Sequence, residues 1–305
     1  MEKTIIRSKR YKLREQIEIQ SMVIPAIVFL SVFAYAPIYG LVGAFREYNI
    51  ITGYGDWVGL KYFGQFLSDP NLFSVLRNTL AVNFLGLVFG FPAPIILALL
   101  LWELRSAKFK KVAQTVSYLP HFLSWIIFGG IALELLSRDG AVNSLLISLG
   151  VLSERVNFIG RGEYFYGIFT ATSIIKTLGY GSILYVAAIS GVDQELYEAA
   201  AIDGCGRFKR IWHITLPCIT GTIVILLIFQ ISAIMNTGIE QVLIFQNSLN
   251  AGYSETLDTY VYKIGMQQQR FSYATAVGLL KSIVAVILLW GANFTSKRLS
   301  GKGLF

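Results

Sequence analysis

The chain has 305 residues, of which 54% are hydrophobic and only 14% charged, and its formal net charge is +8. An average soluble domain carries roughly 25% charged residues, and here the apolar residues stand in blocks that exceed the ~20 needed to cross a hydrocarbon core. That excludes an ordinary water-soluble fold and predicts a polytopic membrane protein, with the basic excess between the blocks and at the termini serving membrane orientation, not a nucleic-acid-binding stripe.

In chain order, a basic N-terminal segment (residues 1–18) is followed by an uncharged block from about Ile19 to Phe45. It is too long for a signal-peptide core and has no small-residue cleavage site after it, so it is read as a retained first span. The second block runs from about Asn78 to Trp102, the third from Val112 to Leu136 with Glu134 near its end, and the fourth from Tyr164 to Val192 with Lys176 inside it. A fifth begins near Pro217 and ends near Thr237, and a sixth covers Tyr273 to Ser296 with Lys281 inside it. Each must be helical in lipid, because only a helix satisfies its own backbone polar groups. Pro25, Pro37, Pro92, Pro94 and Pro120 therefore predict kinks or local breaks within spans, not span ends. The expected organisation is an all-α domain of six transmembrane helices over 19–296 with a short tail, 297–305.

Orientation follows from the cations. Sixteen Lys and Arg lie in the N-terminus, in the loop with Arg105, Lys108, Lys110 and Lys111, in the loop with Arg207, Lys209 and Arg210, and in the tail; eight lie on the opposite side. The positive-inside rule then puts both termini in the cytoplasm. The two cysteines, Cys205 and Cys218, and the two histidines, His121 and His213, do not have zinc-site spacing, so no metal site is expected. The outer segments 46–77, 138–163 and 238–272 are mixed in composition, the first rich in Gly and aromatic residues.

The inner loop before the fifth span, 195–217, is the most informative stretch. Glu195 to Asp203 is a strong helix former with a small Ala face. Gly204 and Gly206 can take positive φ and end that helix sharply. Phe208, Ile211 and Trp212 then recur at helical spacing beside Arg207, Lys209 and Arg210, an amphipathic docking pattern, and Pro217 marks the expected entry to the fifth span. By pattern alone this is either a force-transmitting helix–turn–helix or a solvated connector.

Glu198-Ala199-Ala200, with Asp203-Gly204 after it and then, after nine intervening residues, Ile214-Thr215-Leu216-Pro217, resembles the EAA loop of binding-protein-dependent ABC importer permeases. Cys205 stands where that family usually has a small residue. Pro37-Ile38-Tyr39-Gly40, Phe89-Gly90-Phe91-Pro92-Ala93-Pro94, Ser117-Tyr118-Leu119-Pro120-His121-Phe122 and Leu257-Asp258-Thr259-Tyr260-Val261-Tyr262 are similar to the polysaccharide and oligosaccharide branch of its carbohydrate permeases. The resemblance implies a type I importer permease fold in a bacterial cytoplasmic membrane, paired with a second homologous permease. It further implies a cytoplasmic ATPase dimer that binds ATP and Mg, an extracytoplasmic solute-binding protein and a carbohydrate cargo. This chain itself would be no enzyme and would hold no cofactor. The residues that the resemblance makes ATPase-coupling are Glu198, Ala199, Ala200, Asp203, Gly204, Phe208, Ile214, Leu216 and Pro217, with Glu198 facing a basic residue of the ATPase and Gly204 forming the bend.

Two lysines fall too deep in spans to reach water easily and should face the protein interior or an aqueous path. Lys176 and Lys281 are read either as lining the sugar pathway, where they would suit an acidic glycan, or as structural partners of a carboxylate such as Glu134 or Glu240, or of backbone carbonyls. Tyr180, Tyr185, Trp125 and Phe229 can stack on sugars or pack between helices, and Asn83, Gln230 and Asn236 can bond sugar hydroxyls or neighbouring helices. Lys176, Tyr180, Gln230 and Lys281 form the candidate substrate path. His121 is expected to satisfy a backbone carbonyl beside Pro120, and 240–270 is either a docking surface for the binding protein or a solvated loop. The competing classes are an ion-coupled secondary transporter, for which no inverted repeat is visible, and a membrane enzyme, for which the acids are too scattered.

Overall fold

The computed structural model describes residues 16, 17 and 19–300, with side chains through 298. Most of the basic N-terminus expected over 1–18, and the tail beyond 300, lie outside the described residues.

Helix α1 (Ile19–Ala44) is followed by a hairpin of β1 (Arg46–Asn49) and β2 (Gly53–Trp57), then α2 (Lys61–Leu67) and the long α3 (Leu72–Glu103). Next come α4 (Ala107–Phe122), α5 (Trp125–Leu136), α6 (Ala141–Ser148), α7 (Gly162–Ser190), α8 (Gln194–Ile202) and α9 (Arg207–Ser232). The short α10 (Ile239–Phe245), α11 (Ala251–Ser254) and α12 (Leu257–Tyr262) lead to α13 (Phe271–Ser300). Five of these helices are long and apolar enough to cross a bilayer: α1, α3, α7, α9 and α13.

The third expected span is the exception. Val112 to Leu136 is not one rod, because α4 and α5 meet at 103° across Leu123 and Ser124. Pro120 starts the break by removing a backbone donor, the chain turns extended at Leu123, and Ser124 restarts the helix by accepting the Ile127 N–H at 3.2 Å. Counted together, the bent pair makes a sixth crossing.

The other prolines of the spans sit inside continuous helices, and at three of them the local solution repeats. Ala36, Phe91 and Leu216 each donate their N–H five residues back, to Ser31, Gly86 and Ile211, closing a π-helical turn. Each donor immediately precedes a proline: Pro37, Pro92 and Pro217. A proline ring clashes with the carbonyl four residues earlier and offers no N–H to it; the wider π turn relieves that clash without ending the helix. Pro217 is therefore not a helix boundary: the helix that holds the fifth apolar block runs from Arg207.

The chain divides into two compact units. The first comprises the residues up to 66 together with 264–279. In it the hairpin pairs Arg46 with Trp57 and Tyr48 with Tyr54, with a bulge between Arg46 and Tyr48. Phe45 stacks on Trp57 at 5.6 Å, Tyr48 meets Phe271 edge-on, and the Ser272 hydroxyl donates to the Arg46 carbonyl.

The second unit holds residues 67–263 and those from 280 onward. One of its cores joins Val82, Ala132, Phe165, Phe169, Val242 and Phe245; another joins Ala98, Tyr185, Ile189, Val192 and Ile219. The part of the expected outer loop that lies here, 239–262, is a packed structure, not a solvated connector. Fully buried Asn78 holds it by donating to the carbonyls of Gly252 and Glu255 while accepting from the Tyr166 hydroxyl at 2.6 Å. Gln241 adds a bond to the Phe169 carbonyl.

Helix α7 crosses α4 with Gly179 at the contact, where an added Cβ would lie 2.0 Å from the Ser117 carbonyl oxygen. Gly179→Ala is expected to lower stability by at least about 1–3 kcal/mol, the usual overpacking cost. Gly167→Ala on the same helix, where a Cβ meets nothing within 4 Å, should leave it unchanged or slightly higher; thermal unfolding of the two variants in detergent checks the contrast.

Candidate coupling loop and membrane cavity

The loop between α7 and α9 is built from its caps. Asp193 starts α8 by accepting the Glu195 N–H at 3.0 Å. At the other end Cys205 donates to the Ala200 carbonyl and Gly204 to that of Ala201, the paired bonds of a Schellman cap. That cap needs a left-handed residue, and Gly204 supplies it with φ +74°. Gly206, also expected at positive φ, is instead extended at φ −69° and acts as the N-cap of α9.

Two contacts fix the limbs. The Tyr197 hydroxyl lies 3.0 Å from the Thr215 hydroxyl, and the Arg207 guanidinium sits 3.7 Å from the Glu103 carboxylate at the end of α3. The candidate coupling residues then sort into two sets. Glu198, Ala199, Asp203, Gly204 and Phe208 are exposed, with Phe208 at 81% and neighbouring Ile202 at 88%. Ala200 is buried, and Ile214 and Leu216 turn inward onto the Tyr185–Ile189–Ile219 core. Pro217 is exposed within α9. The bend thus presents an apolar pair flanked by acids while its base is rooted among the spans. Asp193, Glu103 and Tyr197 belong to this machinery and escaped the sequence reading; the Asp three residues before Leu196 was a legible cap signal, the other two were not.

The candidate path residues separate in space. The Lys176 ammonium donates to the carbonyls of Pro120 and His121 at 3.1 and 3.2 Å and to that of Leu123, and it lies over the Trp125 ring. It caps the broken end of α4, which is the carbonyl alternative of the sequence reading. Tyr180 stacks flat on His121 at 3.9 Å. Among the described residues the His121 Nδ1 has no hydrogen-bond partner, so the expected bond to a carbonyl is not formed. Lys281 pairs with Asp258, whose other oxygen accepts the Thr237 N–H at 2.7 Å; neither Glu134 nor Glu240 is its partner. Gln230 lines a cavity. That cavity, of about 560 Å³, lies between α3, α7 and α9 and is lined also by Gly86, Gly90, Pro94, Thr170, Ser173, Thr177, Tyr185 and Phe229.

The exposed helix–turn–helix is continuous with one of the long apolar helices. Residues 90–301 match the family described as the binding-protein-dependent transport system inner membrane component, and the chain belongs to that family. It is 45% identical to the protein LplB of Bacillus subtilis (strain 168) over 93% of this chain and 90% of that one. It is 41% identical to the polygalacturonan/rhamnogalacturonan transport system permease protein YteP of the same organism, over 96% and 92% of the two chains. A chain in the crystal structure of a bacterial alginate ABC transporter, in complex with an alginate pentasaccharide-bound periplasmic protein, superposes with a TM-score of 0.87 at 34% identity. That match covers 96% of this chain and 98% of the other. The fold is therefore that of type I ABC importer permeases.

The Asp258–Lys281 pair is largely buried, so Asp258→Asn should leave an uncompensated cation and cost about 3 kcal/mol. The double variant Asp258→Asn/Lys281→Met is expected to recover at least half of that loss, read as the thermal unfolding midpoint of the purified chain.

Proposed function

We propose that this chain is one of two membrane-spanning subunits of an ATP-driven importer of oligosaccharides derived from plant or microbial polysaccharides. Its working point is the bent loop 194–217, and the observation that carries the reading is the Schellman-capped turn at Gly204 leading without interruption into the fifth span. An ATPase subunit that grips the exposed Ile202–Phe208 bend and the Glu198 face can move α9, because that helix begins at Arg207, within the bend. The cargo class is supported by the relatives, whose names specify polygalacturonan or rhamnogalacturonan, arabinooligosaccharides and, for the solved transporter, alginate. The family assignment favours ATP-driven over ion-coupled transport.

In this reading both termini, the 105–111 loop and the coupling loop face the cytoplasm, and ATP and Mg are held by the ATPase dimer. A second permease completes the path, and an extracytoplasmic solute-binding protein delivers the sugar to the opposite face. The cavity beside Gln230 is this chain's part of the path. Lys176 and Lys281, engaged inside the protein, act there as structural groups.

Replacing Glu198 or Gly204 by Arg should abolish ATP-dependent uptake by at least tenfold or release the ATPase from the complex, while the spans still insert. Reconstituted transport and co-purification of the ATPase are the measurements. Uptake and association both unchanged in the two variants would sink the coupling assignment.

A further inference from the structure

The cavity between α3, α7 and α9 is polar without being charged. Its lining offers Thr170, Ser173, Thr177 and Gln230 among apolar and aromatic walls, and it contains no Lys, Arg, Asp or Glu. The two lysines deepest in the spans are already engaged elsewhere, Lys176 by three backbone carbonyls and Lys281 by Asp258. A carboxylate entering this space would meet no counter-charge, and stripping its water would be costly.

Thr170 marks the cavity as a recognition surface. In a helix a threonine hydroxyl normally bonds the carbonyl one turn back, as those of Thr172 and Thr177 do on the same helix, to Ile168 and Ser173. The Thr170 hydroxyl does not: the residue is only 7% exposed, and among the described residues its Oγ1 is buried without a hydrogen-bond partner. Leaving such a group unsatisfied costs roughly 1–3 kcal/mol, and the residue that carries it lies on the cavity wall. Gln230 brings an exposed amide to the same wall, donor and acceptor in one group, which is the complement of a sugar hydroxyl.

We propose that this chain's share of the transport path recognises sugar hydroxyls and not sugar carboxylates, with Thr170 and Gln230 as its specificity-determining groups. Discrimination for acidic glycans then falls to another subunit. The proposal rests on the importer reading above and on the cavity being part of the path.

The test uses the complete reconstituted complex and two probes, a short oligogalacturonate and its carboxyl-reduced neutral counterpart. Thr170→Val and Gln230→Leu should each lower uptake of both probes by a common factor, about two- to tenfold for one neutral hydrogen bond, and Thr170→Ser should restore it. A loss confined to the oligogalacturonate, or no loss for either probe, overturns the proposal. So does a preference for the uronate that survives exchange of the binding protein and second permease for those of a neutral-sugar system. Failure of the unaltered complex to carry either probe would instead remove the oligosaccharide reading on which the proposal stands.

Discussion

Inside a bilayer a backbone carbonyl without a donor has no water to turn to, and this one constraint organises the protein's irregularities. The most demanding case is the break between α4 and α5. At the break only the Pro120 carbonyl of the three keeps a backbone bond, a long one of 3.3 Å from the Leu123 N–H, and a lysine from the neighbouring helix donates to the carbonyls of Pro120, His121 and Leu123 alike. The cation there is the local equivalent of a helix C-cap, favoured by the carbonyl dipoles that point at it. Gly179, three residues on, lets α7 come close enough to α4 for the ammonium to reach. A charge that looks like a substrate group in the sequence is the solution to a backbone problem in the fold.

The same constraint explains why the other prolines do not end spans. A π turn before Pro37, Pro92 and Pro217 accommodates each ring while the helix continues. In α3 the turn is bounded by Gly86 and Gly90, whose missing side chains also open the cavity wall. Two of the π turns lie at the candidate site, that of α3 on the cavity and that of α9 at the root of the bent loop.

Span existence was legible because each apolar block is longer than any soluble helix sustains without a polar face, and the edges fell within a few residues for the first, fourth and sixth. The bend at Leu123–Ser124 was not legible, since Pro120 reads alike as a kink or a break and only the partner Lys176, 53 residues away from Leu123, decides which. The bent helix pair around Gly204 was visible because its chemistry is local: a left-handed glycine, a helix former before it, a basic amphipathic turn after it. Path residues are long-range matters. Asp258 and Lys281 lie 23 residues apart, and no periodicity in either segment announces the pair. Asn78, a hub joining α3, α7 and the 252–255 turn, appeared in the sequence only as the polar edge of an apolar block.

The placement of Pro217 bears most directly on how force could travel. Had the fifth span begun there, a hinge would separate the loop from the membrane, and motion at Gly204 would be lost in it. Instead α9 starts at Arg207 and reaches Ser232. Its base is tied to α8 through Tyr197 and Thr215 and to the end of α3 through Arg207 and Glu103. Glu103 and the cavity-lining Gly86 and Gly90 belong to α3, while Gln230 belongs to α9. The loop is thus tied to two helices that both contribute to one cavity wall. Because packed helices shift as rigid bodies and do not deform continuously, a motor gripping the loop in the proposed importer would change the space between those helices only by moving one of them as a unit.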